Sequence, residues 1–475
     1  MRYRHLRPNP LIISDIHLGR DVLEGHGAGL VRHVAQLDHD LTAFLEHYAL
    51  NLLGGRPWRL IVAGDMIEFI GMAVRAEGQI TTPPTEEERV HGLGSAPDHA
   101  LVKLARVFDR HGTVMERLAS FVRAGHSLVI LRGNHDVDLF WDEVQTDLRE
   151  RLVALAGVEG SDADAFRMRV TFVPWFYYEP GLVYVEHGHQ YDGLCSFDFQ
   201  LYPVRPDDPR RLVDDVSTMA LRYLVNPTPR LPRECGERWS ALDYLRWVRT
   251  IGLGELARFT RRYFQMSTRL VQLWWAARGA RLRALREEHL RRMKALPLAG
   301  VVGEATLRAI DALKSAPLTR SLLRTMQAVF LDRFALGLAV VVATLIAIAV
   351  GAPAWAVGAV AGAALVVAVA VLWASARQRT LDATASLRRA AGKLAQRVKA
   401  RFIVMGHTHH PMRVALDEER WYFNVGNWTH EERSAGLPPI RAPMTHLVIN
   451  AQPGSASAEL RSWSSTDSIP RPFRE

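Results

Sequence analysis

Phe402-Ile403-Val404-Met405-Gly406-His407-Thr408-His409-His410-Pro411 joins four apolar residues to a glycine and three imidazoles within four positions. A short apolar run that ends in glycine reads as a buried strand leaving its sheet into a polar loop. Neutral imidazole is the commonest metal ligand that a protein offers. The loop is therefore either one edge of a metal site or a turn that is merely rich in histidine. The rest of the chain decides between them.

Four earlier stretches repeat the arrangement. Leu11-Ile12-Ile13-Ser14 runs into Asp15-Ile16-His17, and Leu60-Ile61-Val62-Ala63 into Gly64-Asp65-Met66-Ile67-Glu68. Leu128-Val129-Ile130-Leu131 is followed by Arg132-Gly133-Asn134-His135-Asp136, and Leu182-Val183-Tyr184-Val185 by Glu186-His187-Gly188-His189. Each puts a carboxylate, amide or imidazole at the C-terminal end of a strand, where α/β sheets place their chemistry. One such block is a common polar turn, but five in order, each directly after an apolar strand, are not a chance pattern. Asp15 and His17 alternate with Ile16 and so can face one pocket. Asp136 is placed to orient His135. Residues 73–97 read as a surface loop whose acidic run Glu86-Glu87-Glu88 is solvated, and residues 98–123 as helix interrupted near Gly112.

A chain of 475 residues with 48% hydrophobic composition has material for two to four domains and is not a disordered one. Its net charge of +9 points to an anionic partner: nucleic acid, anionic lipid or a phosphorylated substrate. The two cysteines, Cys195 and Cys235, have no C-x-x-C spacing, so neither a disulfide framework nor a thiolate zinc site is expected. The apolar segment Leu11 to Ile13 is too short for the core of a signal peptide.

The five blocks, D-x-H, G-D, G-N-H-D, a lone H and G-H-x-H, resemble the pattern of the calcineurin-like metallophosphoesterases and span residues 15 to 409. The resemblance implies an α/β fold with a two-sheet β-sandwich flanked by helices. It also implies two divalent metal ions, Mn²⁺ first, with Fe or Zn²⁺ as alternatives. Asp15, His17, Asp65 and His409 would hold one ion, and Asp65, Asn134, His187 and His407 the other, with Asp65 shared. Mixed oxygen and imidazole donors suit these metals, and a shared carboxylate suits two-metal hydrolysis, in which a bridging hydroxide attacks phosphorus in line. His135, next to a ligand, is assigned to protonating the leaving oxygen or stabilising its developing charge. His189 lies two positions beyond His187 and is the alternative to it. Ile13 to Gly19, Gly64 to Glu68, the Leu194-Cys195-Ser196-Phe197-Asp198 segment after His187-Gly188, and Gly406 to His409 with Pro411 are similar to the bacterial UDP-2,3-diacylglucosamine hydrolases. Those enzymes carry Arg where this chain has His135, which separates the two at the substrate.

Between His187 and His407 lie 219 residues, far more than a strand crossover needs. Residues 255–294 hold eleven basic residues against three acidic ones, interleaved with Leu256, Phe259, Tyr263, Phe264, Leu270, Trp274 and Trp275. They read as basic amphipathic helices at a membrane interface or as solvated helices packed on the catalytic domain. Nucleic acid ranks below the membrane, because Phe334 to Ala374 contains no charge. Gly351-Ala352-Pro353 splits that segment into 17 and 21 residues, which at about 1.5 Å per residue are long enough for a hairpin of two transmembrane helices. Gly358 and Gly362 allow close helix packing. Arg320, Arg324, Arg333, Arg377 and Arg379 on the flanks place both ends in the cytoplasm.

The expected organisation is a metallophosphoesterase domain (1–200 and 375–452) interrupted by a basic helical insertion (201–333) and the hairpin (334–374), with a disordered tail (453–475). The expected function is hydrolysis of a phosphoester or pyrophosphate at a bacterial inner membrane, on its cytoplasmic side, in a lipid-linked nucleotide such as UDP-diacylglucosamine. The alternatives are an anchored phosphodiesterase, nuclease or protein phosphatase acting on a soluble substrate, and a non-catalytic membrane scaffold.

Overall fold

The structure, a computed structural model, describes residues 7–24, 31–76, 80–228, 231, 241–276, 280–328, 331–378, 383–430, 441–452 and 454–474. Arg2, Arg4, Cys235, Arg278 and Arg379 lie outside them.

Twelve strands are present among the described residues: β1 Asn9–Ile13, β2 Trp58–Ala63, β3 Ser127–Leu131, β4 Val170–Val173, β5 Tyr177–Glu179, β6 Val183–Val185, β7 Phe402–Met405, β8 Met412–Ala415, β9 Trp421–Asn424, β10 Thr445–Asn450, β11 Ser457–Ser464 and β12 Ile469–Pro472. They form two mixed sheets, one of seven strands in the order β12-β11-β10-β1-β2-β3-β4 and one of five in the order β5-β6-β7-β9-β8. In the first, β1 to β4 run parallel and β10 joins β1 antiparallel. In the second, β6, β7 and β9 run parallel. The β6–β7 pair joins Val183 to Phe402, so the chain on either side of the long insertion closes into a single sheet.

Strand alternation explains why these segments are continuously apolar. Leu11, Ile13, Leu60, Val62, Leu128 and Ile130 pack outward under helices Val31–Leu50, Pro97–Arg110, Gly112–Arg123 and Asp142–Ala156. The residues between them, Ile12, Ile61, Ala63, Val129 and Leu131, face the second sheet and meet Val183, Val185, Phe402, Val404 and Phe423. The outer side of the second sheet, with Tyr184, Ile403, Met405 and Tyr422, is covered by Leu387, Ala391 and Leu394 of helix Ala383–Ala395 and by Met293, Leu307 and Ile310. The central strands of both sheets are thus buried on both faces, which removes the polar alternation of a half-exposed strand. The result is a mixed α/β architecture of two packed sheets flanked by helices.

The insertion is helical. Helix Ala241–Ala276 is kinked at Gly252, and helix Ala280–Ala295 docks on the sheet unit. There Met293 is buried, His289 Nδ1 accepts a hydrogen bond from the Leu201 N–H at 3.3 Å, and Arg292 lies over the rings of Phe140 and Tyr202. Arg262 and Arg269 are tied by ion pairs to Glu255 and Glu87. Arg269 and Arg292 are thus held against the protein, whereas Arg258, Arg261, Arg281, Arg283, Arg286, Arg291 and Lys294 remain exposed. Two apolar helices follow, Leu331–Ala349 and Ala354–Gln378. Among the described residues one stretch, Ala354–Val371, is long and apolar enough to cross a bilayer, and only 6% of it is buried.

Two expectations are corrected. The tail after Gln452 is not disordered: β11 and β12 extend the first sheet beyond β10, and Leu460 and Trp463 are buried there. Backbone pairing, which composition does not report, orders this Ser- and Arg-rich segment. The acidic run at 86–88 is not merely solvated either. It opens helix Glu86–His91 with a capping box from Thr85, and Glu88 is buried against Arg211, whose guanidinium donates to both carboxylate oxygens at 2.7 and 2.8 Å. Replacing Trp463, 3% exposed, by Ala should cost about 3–5 kcal/mol and lower the thermal midpoint. A frayed tail would leave the midpoint unchanged.

Candidate metal centre

The ends of β1, β2, β3, β6 and β7 converge where the two sheets meet, and their loops are stitched together through the backbone. The N–H groups of Ile16 and His17 donate to the carbonyl of Asp65 at 2.9 and 3.0 Å, and the Gly406 N–H donates to His187 at 3.0 Å. Clearances are small. A Cβ on Gly133 would sit 2.1 Å from Asp65 Oδ1, and one on Gly406 would sit 2.5 Å from Asp15 Oδ2.

Each aspartate has one oxygen restrained and one aimed inward. Asp15 Oδ2 accepts from the His407 N–H at 3.0 Å. Its Oδ1 is buried with no hydrogen-bond partner and lies 3.2 Å from His409 Nε2 and 3.9 Å from His17 Nε2. Asp65 Oδ1 accepts from the His135 N–H at 2.9 Å, while Oδ2 lies 3.2 Å from His187 Nε2 and 3.9 Å from His17 Nε2. The histidines are oriented by their outer nitrogens. His17 Nδ1 donates to Glu68 Oε2 at 2.9 Å, and His187 Nδ1 to the Ala63 carbonyl at 2.9 Å. Both therefore turn an unprotonated Nε2 inward when neutral, and Asn134 Oδ1 is 3.2 Å from that of His187. Such outer hydrogen bonds are what fixes the tautomer of a metal-binding histidine.

The backbone is forced at the same residues. Asp15, His17, Asp65, His407 and His409 have φ of 53°, 50°, 53°, 70° and 59°. Among the described residues only Met444 and Ser468 share this left-handed conformation without being glycine. Each such residue costs about 1–3 kcal/mol, and residues of this kind concentrate at functional sites.

Asp15, His17 and His409 form one group whose ligand atoms lie within 4.8 Å of one another, and Asp15, Asp65 and His187 form another. The first expected ligand set, Asp15, His17, Asp65 and His409, is brought together. Of the second, Asp65, Asn134 and His187 meet, and His407 lies with its ring centroid 5.3 Å from that of His187. His407 Nε2, however, donates to Asp192 Oδ2 at 3.1 Å, so the nitrogen it has left for a second ion is Nδ1. His189 is buried beside the group with its Nε2 against Gln190, so His187 rather than His189 meets Asp65 and Asn134. The orphaned Asp15 oxygen and the hard-oxygen and imidazole donor set fit divalent cations of the Mn²⁺, Fe and Zn²⁺ class.

Asp136 does not orient His135. Its two oxygens accept from the N–H groups of Met66 at 2.8 Å and Gly133 at 2.6 Å, bracing the ends of β2 and β3, because its carboxylate turns back toward its own loop. Glu68 takes that role: Oε1 accepts from His135 Nδ1 at 2.7 Å while Oε2 holds His17. Sequence reasoning assigned no task to Glu68, Asp192 or Asn424, whose side-chain amide donates to the Gly406 carbonyl at 2.7 Å and secures the His407 loop. Their partners are distant in the chain. The one available signal for Glu68 was its place in the Gly64–Glu68 block.

Burial works against ionisation of Asp15, yet His187 and His409 hold its carboxyl down to about 2. Burial also opposes protonation of His187, but Asp65 and Asp15 raise it to about 10. His135 is likewise pushed up to about 9, against its burial, by Glu68 and Asp65. The buried carboxylates thus demand positive charge.

The chain matches no protein-family model, no curated protein and no solved structure.

In chelator-treated protein, His187 carries a proton below about pH 10, and a metal can bind its Nε2 only after that proton leaves. Mn²⁺ uptake at neutral pH should therefore release protons, and affinity should fall as pH falls. Calorimetry in buffers of different ionisation enthalpy reads the release, and an uptake heat independent of buffer contradicts it.

Proposed function

We propose that the chain is a dinuclear metal-dependent hydrolase of phosphoester or pyrophosphate bonds, with the metallophosphoesterase fold, anchored in a membrane by residues 334–374. The observation that supports it most is the coincidence of ligand chemistry and forced backbone: five of the seven expected ligands hold left-handed conformations at converging strand ends. A purely structural polar seam gives no reason for this. A non-catalytic scaffold has no use for it either.

Asp15, His17, Asp65 and His409 would hold one cation, and Asp65, Asn134, His187 and His407 through Nδ1 the other. Two such cations supply Lewis acidity at phosphoryl oxygens and lower the pKa of bound water toward neutrality. The chain supplies the rest. His135, His407 and His409 have side chains 19%, 10% and 25% exposed, whereas those of Asp15, Asp65 and His187 are 2% exposed or less, so the three histidines frame the mouth that a substrate meets. His135, held by Glu68 and protonated at neutral pH, is the group positioned to give a proton to the leaving oxygen.

A lipid-linked substrate is supported by a small, mainly apolar cleft lined by Leu194, Phe197, Val204, Val216, Leu273 and Leu285. Leu194, in the wall of the cleft, stands two residues beyond Asp192, which holds His407. A nucleotide-lipid such as UDP-diacylglucosamine offers an apolar tail for the cleft and a pyrophosphate for the metals. His135 in place of Arg favours the second reading, a soluble phosphodiester. The exposed apolar helix Ala354–Gln378 and the uncharged stretch before it support a hairpin in the bilayer, with the catalytic unit on the cytoplasmic side of a bacterial inner membrane.

Mn²⁺-loaded protein screened against a nucleotide-lipid, cyclic nucleotides, single-stranded DNA and a phosphopeptide should turn over the first, and Asp65→Ala should reduce hydrolysis to the metal-free background. Unchanged turnover in Asp65→Ala sinks the reading. His135→Ala should lower kcat by about 10²–10⁴ with metal content unchanged. Glu68→Gln removes the charge that keeps His135 protonated, so the alkaline limb of the pH–rate profile should move to lower pH. A limb that stays in place assigns the proton to another group. Deleting residues 334–374 should move the protein from the membrane fraction to the soluble one, and continued sedimentation with membranes contradicts the anchor.

A further inference from the structure

Around His407 a second group of ligands gathers, of which Asp192 and Cys195 remain unused as ligands by the hydrolytic reading. Asp192 Oδ2, Cys195 Sγ and the outer nitrogen of His407 lie within 4.8 Å of one another. A turn builds the group: the N–H groups of Cys195 and Ser196 donate to the Asp192 carbonyl at 3.2 and 2.8 Å, which folds residue 195 back over residue 192. The Leu194 N–H donates to Asp192 Oδ1 at 2.9 Å, leaving Oδ2 to face His407 at 3.1 Å. Cys195 is 6% exposed and hydrogen-bonds the same carboxylate. His189 closes the inner wall, its ring centroid 6.4 Å from that of His407 and its Nδ1 buried without a hydrogen-bond partner.

Three donors of three kinds, one of them sulfur, are selective. Thiolate favours Zn²⁺ and other thiophilic ions, whereas Mn²⁺ prefers oxygen. Bonds of about 2.0–2.3 Å in a tetrahedron put ligand atoms roughly 3.3–3.8 Å apart, so these three need only small movements to close on one ion. Asp192 and His407 have side chains 17% and 10% exposed, which gives an ion a way in. With three protein ligands the fourth position stays open to water. Sequence spacing offered no thiolate site, because a lone cysteine shows no pattern until the chain brings His407 to it from 212 positions away.

We propose that Asp192, Cys195 and His407 form a separate cation site that takes a thiophilic divalent ion, Zn²⁺ in preference to Mn²⁺. On binding, the Cys195 thiol gives its proton to solvent, and His407 Nε2 gives up to solvent the proton it had donated to Asp192 and turns its lone pair to the ion. The site stands on its own geometry, and its consequence rests on the hydrolase reading. If His407 Nδ1 addresses the catalytic centre, the ring that loses its Nε2 proton joins the two sites as an imidazolate, and an ion at Cys195 sets the tilt of a catalytic ligand.

The probe is Co²⁺, added to the full-length chain in detergent after loading with Mn²⁺. A thiolate–Co²⁺ bond gives a near-ultraviolet charge-transfer band that oxygen and imidazole ligands do not. Wild type and Cys235→Ser should both show the band, at one band-forming cobalt per chain. Cys195→Ser should lose it, and Asp192→Asn should need at least about tenfold more Co²⁺ to reach it. Zn²⁺ should bleach the band and excess Mn²⁺ should not. No band in wild type, or a band that survives Cys195→Ser, overturns the site. Hydrolysis with Mn²⁺, measured on the same preparations, separates the two claims: turnover without a band removes the thiophilic site alone, and a band without turnover supports the site and removes the hydrolase reading.

Discussion

Asp15 and Asp65 are two carboxylates buried side by side, and most of the local architecture follows from keeping them there. Like charges in a dry seam repel and lose hydration, so the arrangement persists only where positive charge and donors surround it. The chain meets this demand in two layers. Backbone N–H groups from distant loops, those of His407 and His135, take one oxygen of each aspartate. Imidazoles face the other oxygens, and Glu68 fixes His17 and His135 from outside.

The constraint reaches into the fold. Loops from five strands reach the same point only if the sheets stack with their C-terminal ends aligned, and apolar residues from both inner faces set that alignment. Gly133 and Gly406 lie where a side chain would collide with the aspartates. The left-handed backbone of five candidate ligand residues is the cost of turning their side chains inward at tight strand ends.

Much of this was legible in the sequence because the chain carries it locally. β1, β2, β3, β6 and β7 are buried on both faces, so each reads as an unbroken apolar run ending in its ligand. What was not legible depends on partners far along the chain. Glu68 has meaning only once His17 and His135 arrive from other strands, Glu88 only once Arg211 does, and Asp192 only once His407 does. β12, largely exposed and containing two prolines, offers no apolar pattern, yet it pairs with β11 through its backbone. Asp136 misled because proximity in sequence suggested a contact with His135 that Glu68 makes instead.

The same organisation gives the long detour between β6 and β7 a place in the account. It leaves and re-enters the second sheet at adjacent strands, so an insertion of this size can sit beside the ligands without disturbing them. The claim on which the rest depends is that Asp65 is shared between two metal ions. Electron paramagnetic resonance of Mn²⁺-loaded protein tests it most directly. The account predicts the spectrum of an exchange-coupled pair in wild type, replaced by that of isolated Mn²⁺ when Asp65 is changed to Asn. Isolated Mn²⁺ alone in fully loaded wild-type protein would contradict it.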